Sequence, residues 1–252
     1  MSEPRPLVRP GNPRPGNLRS APLNRQRIAG GPLVMPSPTI KRPLSQFAGH
    51  YREWEPAASL RSHISCLWVN DLSHSSASEF HVVPDGCVDI VWTGEDLCIA
   101  GPDTRPILEK VWLGRRTFGV RFQPGAAHPW LGVPLSEILN DRVPLTEFWR
   151  QEADRLADRI NMASNSIEAV ALIQKALLRR IERVGVADRQ ITLLRKSAAL
   201  GRDSDLGGIR ELSMHMGMSE RTLRRRCMDA FGYGFKTLQR ILRFQLTTMT
   251  QR

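Results

Sequence analysis

The spacing of apolar residues in this 252-residue chain changes character near Pro124. Before that point, β-prone runs of a few residues alternate with turn signals. The runs are His63–Val69, Glu79–Val83, Cys87–Trp92, Leu97–Ala100, Val111–Leu113 and Thr117–Phe122. The turns are Pro84-Asp85-Gly86, Thr93–Asp96, Gly101-Pro102-Asp103 and Gly114-Arg115-Arg116, rich in residues that preset or tolerate reversed backbone. Two hairpins are predicted, one joining Glu79–Val83 to Cys87–Trp92 and one joining Val111–Leu113 to Thr117–Phe122. Short strands punctuated this often predict a small barrel or sandwich. After Pro124 the period becomes helical. Helices are predicted at Val133–Asn140, Leu145–Ile160, Ser166–Val184 ending at Gly185, Asp188–Leu200 ending at Gly201, and Phe235–Thr247. In the last of these, Leu238, Ile241 and Leu242 face inward while Arg240 and Arg243 point elsewhere. The fold class is therefore α+β: a β-rich N-terminal domain, a helical connector and an all-α C-terminal region.

The densest pattern is Gly208–Cys227, GIRELSMHMGMSERTLRRRC. A short helix runs to Met216, and Gly217 supplies a positive-φ turn that a Cβ resists. Ser219 is placed to cap a second helix through its hydroxyl. On that helix Leu223 and Cys227 lie four apart and face inward. Arg221, Arg224 and Arg225 share the opposite side at i, i+3 and i+4. An apolar seam backed by three guanidiniums suits a recognition helix, because arginine bonds in bidentate fashion to guanine O6 and N7 or holds phosphate. The plainer alternative is an amphipathic helix with a solvated basic face; the joint occurrence of turn, cap, seam and basic face favours DNA.

Charge sharpens this picture. The net charge is +11, with +7 in residues 1–44, +6 in 208–252 and −2 between them. A basic DNA-binding end attached to a nearly neutral domain fits a regulator. Residues 1–44 hold ten of the 18 prolines and few large apolar groups, so they read as a disordered basic tail. No apolar run approaches the ~20 residues of a membrane span, and the N-terminus lacks a signal-peptide core, so a cytoplasmic location and no membrane partner are expected. Cys66, Cys87, Cys98 and Cys227 are widely separated with no CxxC pair, so they read as reduced thiols rather than a zinc knuckle or disulfide framework.

Catalytic patterns are weak. A cupin-like metal enzyme with a basic helical appendage is the alternative reading, with His81, Asp85, Asp89 and His128 as available ligand types. It lacks the closely spaced histidines such a site uses, so no metal or cofactor is expected and no catalysis. Asp89 shares a strand face with Cys87 and Val91, and a carboxylate in an apolar strand must be paired, hydrogen-bonded or exposed. It reads either as an anchor for the Pro84–Gly86 turn, the favoured option, or as an acid in a ligand pocket. Trp68, Trp92 and Trp112 read as core aromatics, with lining of a small-molecule cavity as the alternative.

The stretch SERTLRRRC followed by FGYGFKTLQRILRFQ resembles the first half of the DNA-binding module of AraC-type transcription regulators. The stretches HVVPDGCVDIVW, IAGPDT and GVRFQPGAAHPWLGVPLSEI resemble the sensor-like domain that precedes this module in one branch of that family. The resemblance implies a sequence-specific regulator that binds promoter or operator duplex DNA. It also implies a small-molecule effector and a homodimer as partners. Carried over, the base-reading positions are Arg221, Arg224 and Arg225. Ser219 is the cap, Thr222 and Arg226 flank toward phosphates, and Arg240 and Arg243 support backbone contacts. The implied domains are a tail over 1–44, a sensor or dimerisation domain over 45–165, a connector over 166–187 and the DNA-binding domain over 188–252.

Three departures stand out. Cys227 replaces a usual phenylalanine, Phe235 replaces a frequent proline, and the family's second helix-turn-helix has no counterpart before Arg252. The expectation is a truncated, frameshifted or naturally short regulator. Halving a site of about eight neutralised phosphates would lower its salt slope from roughly −7 to roughly −3.5. A sensor-only fragment forming inactive heterodimers is a further reading.

Overall fold

In a computed structural model, residues 50–71, 79–110, 116–200 and 209–250 are described. The tail over 1–44, Trp112, Gly201 and Gly208 lie outside them. The architecture is α+β: an antiparallel sheet region followed by helices.

Eight strands are present among the described residues: β1 His50–Trp54, β2 Ile64–Asp71, β3 Glu79–Val82, β4 Asp89–Trp92, β5 Leu97–Ala100, β6 Ile107–Lys110, β7 Arg116–Phe122 and β8 Arg142–Pro144. Six form one sheet in the order β1-β2-β7-β4-β5-β8, and β3 pairs with β6 in a separate two-stranded ribbon. All the pairings are antiparallel. The Thr93–Asp96 turn joins β4 to β5 as a tight hairpin.

The hairpin predicted between Glu79–Val83 and Cys87–Trp92 is corrected. β3 pairs β6 in the register Glu79↔Lys110, and β4 lies between β7 and β5. The Pro84–Gly86 turn is real, with Gly86 at φ +80. The Asp85 carboxylate accepts the Cys87 N–H at 2.9 Å, an Asx-type turn that lifts the chain from one sheet to the other. β7 runs between β2 and β4. Val111–Leu113 lies outside the described residues.

Alternation sets the two faces of the large sheet. Leu67, Val69, Ile90, Trp92, Ile99, Phe118, Val120 and Phe122 point to one side and form the first core. Helix α4, Ser166–Val184, crosses β2 and β7 on that side and buries Ala169, Val170, Ile173 and Leu177 there. Asn165 caps it by accepting the Glu168 N–H at 3.0 Å, and Gly185 ends it at φ +79. The predicted helix over Val133–Asn140 is a single 3-10 turn, Leu135–Ile138, which follows the one-turn helix α1, His128–Leu131. The predicted helix over Leu145–Ile160 is also corrected. It is two helices, α2 Thr146–Trp149 and α3 Gln151–Asn161, broken at Arg150 with φ +48. The break lets the Trp149 indole enter the core and donate to the Trp130 carbonyl at 3.0 Å.

The C-terminal helices are α5 Arg189–Leu200, α6 Ile209–His215, α7 Glu220–Phe231 and α8 Phe235–Thr250. They surround a second core built on Leu194, Leu212, Leu223, Cys227, Phe231, Leu238 and Ile241. This core also holds the partly buried Leu139 from the N-terminal part, so the two cores meet along a packed junction.

Candidate nucleic-acid interface

Helix α6 ends where Gly217 takes φ +62, and the Met218 N–H returns to the Ser213 carbonyl at 3.0 Å. Ser219 then caps α7: its Oγ accepts the Thr222 N–H at 3.2 Å and meets the Thr222 hydroxyl at 2.9 Å. Four apolar residues of α7, Leu223, Cys227, Ala230 and Phe231, are buried against α6 and α8. Cys227 is fully buried, and burial pushes its thiol up to about 11, so it packs as a small apolar residue.

The opposite face of α7 is basic. Arg221, Arg224 and Arg225 are all exposed. Arg224 meets Glu220 at 3.1 Å across one turn, an exposed pair that a stronger acceptor can displace. Arg226 stands apart from this face. It is half-buried and bonded to Asp188 at 2.9 Å, so its guanidinium is occupied by the start of α5. Arg240 and Arg243 are exposed on α8, away from the buried Leu238, Ile241 and Leu242.

The helical unit is tightly joined to the sheet region. Gln245 donates to the Pro84 carbonyl at 2.7 Å, and Arg195 donates to the Gln123 side-chain oxygen at 2.9 Å. At Gly125, φ +85, an added Cβ would lie 2.6 Å from both Ile191 and Phe231. At Gly232 it would lie 2.9 Å from Pro102. The Tyr233 hydroxyl is buried beside Gly86 with no hydrogen-bond partner among the described residues, and burial raises its pKa.

The connection from α4 to α5 is anchored too. The Trp130 indole N–H donates to His63 Nδ1 at 3.1 Å, so His63 Nε2 carries the proton and donates to the Gly185 carbonyl at 3.1 Å. Burial lowers the pKa of His63, which keeps this neutral tautomer in place.

A polar cluster occupies the other face of the large sheet. Arg121 on β7 makes a two-pronged contact with Asp89, at 3.1 and 3.0 Å, and lies 3.6 Å from Asp85. Asp89 therefore reaches the Pro84–Gly86 turn through Arg121 rather than by bonding its backbone. Burial raises the pKa of Asp89, and Arg121 opposes that shift. Sequence reasoning missed Arg121; its signal was an arginine alternating with Val120 and Phe122 in an apolar strand. Cys66, Trp68 and Asn70 on β2 share this face, and the Trp68 Nε1 and Asn70 Oδ1 atoms are buried without a partner among the described residues. Trp92 lies on the opposite face, stacked on Phe118. Of the other ligand-type residues, His81 is exposed on β3 and His128 bonds the Val133 carbonyl at 2.8 Å. Among the described residues no three His, Cys, Asp or Glu side chains converge as a metal site.

Residues 52–144 match a family described as a domain of unknown function, DUF6597, a span that runs from β1 to the end of β8. No curated protein and no solved structure matches the chain. Among the described residues no helix is long and apolar enough to cross a membrane.

Proposed function

We propose that this protein is a DNA-binding transcription regulator of AraC type that carries out no reaction of its own. The observation that carries this reading is α7. It is capped by Ser219, seated on a buried seam and preceded by the Gly217 turn, and it presents three exposed arginines outward. That arrangement suits insertion of a helix into the major groove, with guanidiniums reaching base edges and phosphates. Arg226 supports the fold through Asp188 rather than contacting DNA. The N-terminal sheet region is the sensor. Its Trp68 Nε1 and Asn70 Oδ1, buried without a partner among the described residues, lie on the same sheet face as Arg121, a setting that favours a polar small molecule.

Selection from a random duplex library tests this. The full chain should enrich one sequence, and the combined Arg221→Ala, Arg224→Ala, Arg225→Ala variant should enrich none while keeping its helical circular dichroism. Equal enrichment by the two proteins would overturn the reading.

A further inference from the structure

A cleft of about 340 Å³ opens where the segment after β7, the connection from α4 to α5, and helices α5 and α7 converge. Its walls include Pro124, Val186 and Ile191, and three guanidiniums border it: Arg195, Arg225 and Arg226. These are not equivalent. Arg226 is neutralised by Asp188. Among the described residues Arg195 is held by the neutral side chain of Gln123. Arg225 has no ion pair among the described residues. Two guanidiniums on different helices, neither in an ion pair among the described residues, therefore share one cavity with an apolar wall. Asp229 and Thr192 also border it, supplying acceptors for a hydroxyl or amine.

We propose that this cleft binds a small organic anion, with its carboxylate on Arg195 and Arg225 and its apolar body against Ile191, Val186 and Pro124. Charge-assisted pairing with guanidinium is strong and directional, and the volume lies at the small end of ligand pockets. The bound anion touches the sheet region, the α4–α5 connection and α7 together. It also takes Arg225 from the DNA-facing side of α7. Ligand and DNA therefore weaken each other's binding by the same factor. This second half rests on the proposed DNA reading; the site itself does not.

Titration calorimetry of the full chain with hexanoate, acetate and inorganic phosphate tests the site. Hexanoate should bind saturably and at least tenfold more tightly than acetate or phosphate, which lack the apolar body. Arg195→Ala and Arg225→Ala should each weaken hexanoate at least tenfold, and Arg221→Ala should leave it unchanged. No saturable hexanoate binding, or binding indifferent to both substitutions, overturns the proposal. DNA titrations with and without hexanoate test the coupling. If Arg221→Ala leaves DNA binding intact, the DNA reading fails while the calorimetry still decides the site. If Arg221→Ala weakens DNA binding but hexanoate does not, the coupling is overturned.

Discussion

Gly125→Ala measures how firmly the sheet region and the helical unit are packed together. Two costs are expected. The first is conformational, because Gly125 sits at φ +85, where a Cβ costs roughly 1–2 kcal/mol. The second is steric: the new methyl would lie 2.6 Å from Ile191 Cγ2 and 2.6 Å from Phe231 Cε1. Overpacking of this kind costs about 1–3 kcal/mol. Gly132→Ala separates the two, because Gly132 has φ +76 but nothing within 4 Å of an added Cβ. It carries the conformational cost alone. The two variants should therefore differ by about 1–3 kcal/mol, or roughly 2–12 °C in Tm for a chain of this size. Thermal unfolding followed by far-ultraviolet circular dichroism reads the difference, with Gly125→Ala the lower. If the two variants melt together, Ile191 and Phe231 do not press on Gly125 and the packed junction is wrong.

Other consequences are open to measurement. Arg121→Met leaves Asp85 and Asp89 without their shared, mostly buried guanidinium and should cost about 3–5 kcal/mol in chemical denaturation near neutral pH. Part of that loss should be recovered in acid. A buried carboxylate whose folded pKa is raised favours the native state below its unfolded value of about 3.9 and loses that advantage as pH climbs through the folded value. Without Arg121 this window widens upward, so a variant whose stability stays flat from pH 7 to pH 4 contradicts the assignment. Ser219→Ala removes the cap of α7 and should cost about 1 kcal/mol, read by urea unfolding. His63 has a lowered folded pKa, so its contribution is complete above about 6.5 and is lost as pH falls from there through the folded value. The wild-type protein should lose stability across that window, and His63→Gln should flatten the slope.

Local features were readable wherever one short stretch holds both the signal and the response. The Gly217 turn, the Ser219 cap and the Gly185 stop of α4 depend on single residues and their immediate neighbours, and each took the expected conformation. So did the seam of Leu223 and Cys227, which follows from helical spacing alone. Strand pairing was not readable in this way. The Pro84–Gly86 signal marks a reversal but carries no information about the partner, and β4 joined β5 and β7 instead of β3. The break at Arg150 was hidden because that position lacks the glycine that usually marks positive φ. The resemblance set Arg226 beside the basic face, toward phosphates, but its carboxylate partner, Asp188, lies 38 residues away and only folding brings them together. Arg121 was hidden for the same reason, since its partners lie on other segments.

The central claim is that the outward side of α7 reads base edges, and Arg221 tests it without involving the cleft. The measurement is the ratio of dissociation constants for the enriched and a scrambled duplex, by fluorescence anisotropy at fixed salt, for wild type and Arg221→Ala. A base-reading arginine is worth about 1–3 kcal/mol of discrimination, so the ratio should fall by roughly 5- to 150-fold in the variant. A variant that keeps the wild-type ratio, whatever its absolute affinity, would show that α7 does not read sequence and would contradict the account.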